Sequence, residues 1–342
     1  METTIEAGSP RDFQPVATAL FKAYLGSERD LVLADALDEL IDNADHGRKS
    51  DGVRVGRLAE GKMLVLVGLS GAGKTRALER VFAAQAELKD WDVLDADSPL
   101  VSTKAPSPCT LKQLGIDLLG KLGYPLKRDL KEHVVWNLVR ERLQLRQVRY
   151  LHIDELQHVI TNATTKEAQK IRNTMKGLVQ RPEWPISLIL SGTPEIAAFL
   201  EEDTQTKRRC LVVRFDSLDV EADAEWFGVR LKRLVEQKAG LDVGGDAGTF
   251  AARVIHAAER QYGTAIEFVQ DAALAALREG SRALEIRHFA RVYKLRTGCA
   301  DDMNVFTSRD WRDIRVGTAL QHALSSSPST LVQKKPRLER RK

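Results

Sequence analysis

The sequence predicts an α/β protein, a parallel sheet flanked by helices and followed by a small all-helical subdomain. Three observations lead there. Apolar runs of strand length alternate with helical patterns between residues 61 and 218, which gives parallel strands joined by crossover helices. A glycine-rich turn stands between the first of those strands and the first of those helices. Beyond Phe215, four helical patterns succeed one another with no strand between them.

With 342 residues, 43% of them hydrophobic, the chain can build one large or two ordinary cores. It contains no apolar run of roughly 18 residues, and its first residues, Met1 to Glu6, lack a basic region followed by an apolar stretch. Neither a membrane span nor a secretory signal is expected, and a cytoplasmic location follows. Cys109, Cys210 and Cys299 are far apart and show no paired spacing, which argues against a zinc site or a disulfide framework. They read as small buried or semi-buried residues.

Residues 1–60 read as a helical entry segment. Asp30 is placed to cap a helix carrying Leu31, Leu33, Leu37, Leu40 and Ile41 at helical spacing, and a polar loop, Asn43 to Asp51, follows it. Residues 61–218 form the core. Its first strand, Lys62 to Val67, runs into the glycine-rich turn and a helix over Arg76 to Leu88. Leu100 to Thr103 is a second strand, after which Thr110 caps a helix bearing Leu111, Leu114, Leu118 and Leu119 that Gly123 ends. A helix with Val134, Val135, Leu138, Val139 and Leu143 leads to the strand Val148 to Ile153. Glu167 to Val179 is helical, Ile186 to Leu190 extended, and Leu211 to Phe215 the last strand.

Residues 219–298 make the helical lid, with helices over Ala224 to Lys238, Asp246 to Arg260, Ala265 to Arg278 and Ile286 to Leu295. Residues 299–342 are a C-terminal extension ending in a basic, mobile tail. Lys334 to Lys342 hold six Lys or Arg against one Glu, which leaves the rest of a chain of net charge +4 close to neutral. Such a tail can grip phosphates or an acidic partner, or can simply keep the protein soluble.

Gly68, Leu69, Ser70, Gly71, Ala72, Gly73, Lys74 and Thr75 fit the pattern GxxxxGK[ST] at every required position, between a strand and a helix. Such a loop turns its backbone N–H groups around phosphates at a helix N-terminus. Gly68, Ser70, Gly71, Ala72, Gly73, Lys74, Thr75 and the following Arg76 are therefore expected to hold a nucleoside triphosphate, ATP, with Lys74 on its β and γ phosphates and the Thr75 hydroxyl on Mg2+. Downstream, the apolar strand Tyr150 to Ile153 ends in Asp154 and Glu155. That suits one carboxylate on the metal, Asp154, and one orienting the attacking water, Glu155. His152 and Arg149 are expected to face a partly polar layer.

The strand ending at Leu190 is followed by Ser191, Gly192, Thr193 and Pro194. These lie at the carboxyl end of the sheet, where ligands collect. Thr193 is the first choice to sense the γ phosphate and Ser191 the second; the competing reading is that they only cap the helix beginning at Pro194. Lys207, Arg208 and Arg209 precede the last strand, where Arg208 or Arg209 could reach a neighbouring subunit's nucleotide or form a solvated basic patch.

Together these features resemble an AAA+ ATPase: a P-loop, the run HIDE, the run SGTPE after the next strand, paired arginines before the last strand and a helical lid. More narrowly, the segments at 105–126, 152–159 and 190–200 are similar to the transposition-regulator ATPases of the TniB and TnsC type. That resemblance implies a homo-oligomer, a ring or filament, that assembles on double-stranded DNA with ATP and Mg2+. It implies a transposase, and with it a targeting protein, as partners, and hydrolysis that disassembles the oligomer. Lys104, Lys112 and Lys121 are the candidates for DNA contact, each also readable as a solvated charge. Ile266 stands near where the family often has a sensor arginine, a role left to Arg287 or another residue. Two other classes stay open: an ATPase that switches protein partners without touching nucleic acid, and a P-loop kinase of small molecules.

Overall fold

A computed structural model describes residues 13–49, 60–93, 96–243 and 247–317, and these group into two compact units. A sheet unit comprises Leu25–Ser217 with Gln261–Gly263. A helical unit takes the described residues of Met1–Tyr24, Leu218–Arg260 and Thr264–Lys342. The grouping divides the expected entry segment: α1 (Phe13–Lys22) belongs to the helical unit and α2 (Glu28–Lys49) to the sheet unit.

In α2, Leu33, Leu37, Leu40 and Ile41 are buried at helical spacing, whereas Leu31 is 67% exposed and turns away from that face. Asp30 is not the cap. Ser27 precedes the helix, and the Asp30 carboxylate reaches back to accept from Ser27 N at 2.5 Å and Ser27 Oγ at 3.1 Å, the reciprocal half of a capping box. The helix also runs through most of the expected polar loop, to Lys49. The stretch 43–49 holds one glycine and no proline, and a single internal glycine costs a helix only about 1 kcal/mol.

The sheet unit then alternates as the sequence predicts. Its elements are β1 (Met63–Gly68), α3 (Lys74–Ala84), β2 (Leu100–Lys104), α4 (Leu111–Lys121), α5 (Glu132–Leu145), β3 (Tyr150–Asp154), α6 (Gln157–Ile160), α7 (Thr165–Val179), β4 (Ser187–Gly192), α8 (Glu195–Glu201), α9 (Thr204–Lys207) and β5 (Cys210–Phe215). The five strands are parallel in the order β2-β3-β4-β1-β5. Every residue of β1, β3 and β4 is buried, as central strands covered on both faces require. Thr110 caps α4 through Gln113 N at 3.1 Å, and a Thr164–Glu167 capping box starts α7 two residues ahead of the expected point. Indole donors stitch the core: Trp136 Nε1 to Leu111 O at 3.1 Å and Trp184 Nε1 to Val148 O at 2.6 Å.

The helical unit continues with α10 (Ala224–Leu234), β6 (Asp242–Val243), α11 (Ala247–Ala257), α12 (Tyr262–Arg278) from Thr264 onward, β7 (Ala283–Leu284) and α13 (Ile286–Thr297). Helical periodicity could not show the pairing of β6 with β7, since two-residue strands carry no period. The start of the C-terminal extension is packed here: Arg253 donates to Ser308 O at 3.0 Å, His256 meets Ile314 O at 2.9 Å, and Phe306 stacks on Phe289. The basic tail, Lys334 to Lys342, lies outside the described residues. The cysteines are unpaired, and burial pushes the Cys109 and Cys210 thiols up to about 11. Among the described residues no helix is long and apolar enough to cross a membrane.

The α2 face gives a direct test. Leu37→Ala is expected to cost about 2–5 kcal/mol and Leu31→Ala less than about 0.5 kcal/mol, read as shifts of the urea midpoint at unchanged slope.

Candidate active site

The glycine-rich loop needs glycine where its backbone turns left-handed: φ is +80° at Gly71 and +91° at Gly73, a conformation that a Cβ disfavours. Gly73 is the N-cap of α3, so the free N–H groups of that helix open into the loop. Lys74 is buried, and its Nζ donates to Gly68 O at 2.8 Å and Leu69 O at 3.1 Å. Burial pulls its ammonium below the usual lysine range, against the opposing pull of Glu155 and Asp154.

Thr75 Oγ1 donates to Asp154 Oδ2 at 2.9 Å, which joins the loop to the end of β3. Asp154 is 4% exposed, and its other oxygen accepts from Ser191 Oγ at 2.5 Å and Glu155 N at 3.0 Å. Thr75 and Asp154 thus offer two hard oxygen ligands side by side, the donor set that Mg2+ takes when phosphates and waters complete its shell. Among the described residues no cluster of three or more His, Cys, Asp and Glu offers a competing metal site. Glu155 leaves the strand with φ at +55°, a conformation costing a non-glycine residue about 1–3 kcal/mol.

Two participants escaped the sequence reading. Gln157 Nε2 donates to Glu155 Oε2, and its Oε1 accepts from Thr193 N at 3.3 Å, so one amide ties the acid after β3 to the end of β4. His152, read as lying in a partly polar layer, is fully buried there. Its Nδ1 is 2.8 Å from Ser102 Oγ and its Nε2 is 3.0 Å from Ser191 Oγ. Burial drives its pKa down to about 4, against the pull of Asp154. Arg149 lies over the Trp184 ring.

Of the two phosphate-sensing candidates, the structure joins Ser191, the second choice, to Asp154. The Thr193 hydroxyl is buried without a hydrogen bond of ordinary geometry; it lies near Glu195, whose carboxyl it holds below the usual range. Arg208 and Arg209 stand at the amino end of β5, with Arg209 O accepting from Met63 N where β1 begins. By strand rise that is about 17 Å from the loop at the other end of β1, so they do not reach the site of their own sheet. Arg209 is committed to Glu60, at 2.5 Å, and to Gln205 O, at 2.5 Å. Among the described residues no side chain or carbonyl bonds the Arg208 guanidinium.

Lys104 is exposed at the carboxyl end of β2, in register with Asp154. Lys112 is held by Asp129 at 2.5 Å, and Lys121 lines a cavity with Trp91, Ser98 and Arg146. The three do not share a common set of neighbours. Ile266 lies in α12, and Arg287, in the helical unit, pairs with Glu285 at 3.2 Å.

Gly263 adds a wall to the loop. A Cβ there would meet Gly71 O at 2.6 Å and Gly73 N at 3.0 Å, so only glycine lets the first turn of α12 lie this close to the phosphate-binding backbone.

The family described as "Bacterial TniB protein" matches residues 33–219. None of the curated proteins matches the sequence. Among solved structures the fold is similar to the ORC1 protein of Aeropyrum pernix in complex with DNA, with a TM-score of 0.56 and 16% identity over 82% of this chain and 69% of that one. It is likewise similar to Cdc6p of Pyrobaculum aerophilum, with a TM-score of 0.53 and 17% identity over 82% and 70%. The ORC2 protein of A. pernix gives 0.52 and 14% over 81% and 71%. The architecture is the P-loop α/β fold of the AAA+ ATPases.

Gly263→Ala is expected to displace the loop backbone and weaken binding of a fluorescent ATP analogue by on the order of tenfold, about 1.4 kcal/mol, with an unchanged circular dichroism spectrum. Full affinity in the variant would mean that Gly263 does not shape the loop.

Proposed function

The chain belongs to the TniB family of bacterial proteins, and on that footing we propose that it is a Mg2+-dependent ATPase that regulates DNA transposition. In this reading it oligomerises on duplex DNA in its ATP form, selects the target and recruits or activates a transposase, and hydrolysis drives disassembly. The observation that carries the proposal is the 2.9 Å bond between Thr75 and Asp154, which brings the hydroxyl of the phosphate-loop motif to the acid at the end of β3 on a chain of this family. The DNA-bound A. pernix ORC1 protein, whose fold is similar, supports DNA as the partner, and a cytoplasmic location is part of the same proposal.

In the proposed mechanism the loop N–H groups of Ser70 to Thr75 and the Arg76 end of α3 receive the phosphates, and Lys74 exchanges its carbonyl partners for the β and γ oxygens. Thr75 and Asp154 would hold Mg2+, which would supply charge neutralisation to the phosphates. Glu155, steadied by Gln157, accepts a hydrogen bond from the attacking water. Ser191, or Thr193 after a small rotation, reports the γ phosphate to β4. The transition-state charge is met by an arginine from a neighbouring subunit, since neither Arg208 nor Arg209 reaches its own site, and Arg208 is the one with a guanidinium to spare. Lys104 is the preferred contact to the DNA backbone, and residues 219–298 act as the lid.

Three substitutions separate these roles. Lys74→Ala abolishes nucleotide-dependent assembly. Arg208→Ala lowers kcat by about a thousandfold with ATP affinity retained, while Arg209→Ala lowers the melting temperature through loss of Glu60. The primary test is electron microscopy with duplex DNA and a slowly hydrolysed ATP analogue. Regular rings or filaments that need both components support the proposal; dispersed particles in every sample overturn it in favour of an ATPase that switches protein partners.

A further inference from the structure

The carboxylate of Asp154 is reached by an unbroken line of side chains that crosses three strands. Ser102 of β2 is the register partner of His152 of β3. His152 and Asp154 are two residues apart and share a face of the sheet, and Ser191 of β4 lies on that face two residues beyond Ile189, the register partner of His152. Phe82 of α3 covers the ring, with centroids 5.3 Å apart and planes at 68°.

The donors in this line can be assigned by elimination. Ser191 Oγ donates to Asp154 Oδ1 at 2.5 Å, which commits the one proton of that hydroxyl. Its oxygen must then accept at the 3.0 Å contact with His152 Nε2, which puts the ring proton on Nε2. A neutral ring has a bare second nitrogen, and Nδ1 accepts from Ser102 Oγ at 2.8 Å. All three hydrogen bonds therefore point toward Asp154, while Thr75 donates to its other oxygen. An imidazole in an apolar sheet layer is costly unless both nitrogens are satisfied, and here each has one partner.

We propose that His152 is a positioning residue that, held as its Nε2–H tautomer by Ser102, fixes the Ser191 hydroxyl and through it the orientation of the Asp154 carboxylate toward a divalent cation. This rests on the reading of Asp154 as a Mg2+ ligand. Outer partners of a metal ligand typically change metal affinity 10- to 100-fold when removed, so the line acts on metal affinity and leaves the loop that holds the phosphates unaltered. A role limited to packing would be indifferent to which ring nitrogen is replaced.

The test compares two amide variants of the full chain. In His152→Gln the amide nitrogen reaches the place of Nε2 and retains the donor to Ser191; in His152→Asn it reaches only the place of Nδ1 and loses that donor. The Mg2+ concentration giving half-maximal tightening of a fluorescent ATP analogue is expected to rise about tenfold in His152→Asn and less than about threefold in His152→Gln, with similar losses of melting temperature. Nitrogen NMR of histidine in the metal-free protein is expected to show the Nε2–H form for His152, and a mixture of tautomers in Ser102→Ala. Equal metal dependence in the two amide variants, or an Nδ1–H ring in the unaltered protein, overturns the proposal. If the unaltered protein binds the analogue with no response to Mg2+, the metal reading of Asp154 itself falls, whichever tautomer is found.

Discussion

The hydrogen bond between Thr75 and Asp154 spans 79 residues of chain, and it is set by a strand that contributes neither of them. Leu190 of β4 is the register partner of Val65 in β1 and of Ile153 in β3, so β4 holds the loop strand and the acid strand abreast. A slip of one residue would move Asp154 by about 3.3 Å and turn it to the other face of the sheet. What resists the slip is burial: β1, β3 and β4 have no exposed residue, and the aliphatic side chains on both faces fit only one alignment. The precision of the site thus originates in Val, Leu and Ile side chains that never meet a ligand.

The cluster also shows how a buried carboxyl group is accommodated. Asp154 is almost wholly enclosed, and its oxygens are met by a Thr hydroxyl, a Ser hydroxyl and a backbone N–H. These are neutral dipoles fixed by their own strands and loop, the condition under which a low-dielectric site stabilises charge without reorganising. Lys74 supplies positive charge nearby but is itself anchored on two carbonyls, which keeps it extended along the loop.

Most of the sheet and the phosphate loop were legible in the sequence because both rest on local rules. Glycines at 71 and 73 announce positive φ, and strands buried on two faces announce themselves as unbroken apolar runs such as Leu64 to Val67. The features that were not legible depend on register or on choices among like residues. Ser27 and Asp30 are both good cap residues, and only the backbone decides that the helix starts after Ser27 and that Asp30 reaches back to it. Ser191 and Thr193 are hydroxyls two residues apart, so alternation cannot choose between them; β4 runs on through Ser191 to Gly192 and holds that hydroxyl beside Asp154, while Thr193 lies beyond the strand. Gln157 and His152 gain meaning from partners on β4, β2 or both, which no periodicity in their own segments encodes. The exposed Leu31 shows the reverse case: at about 100° per residue it stands roughly 200° round the helix from Leu33 and falls on the side away from the buried face.

The unit that carries the phosphate loop is not one uninterrupted stretch of chain. It ends at Ser217 and is completed by the three residues Gln261–Gly263, the last of which lies against Gly71 and Gly73. The stretch shared with the family stops at 219, short of that return. The phosphate loop and the acids after β3 lie inside the shared stretch, while one wall of the loop comes from a glycine more than forty residues beyond it. A change in the helices between 219 and 260 is therefore compatible with the loop only if Gly263 still returns to it.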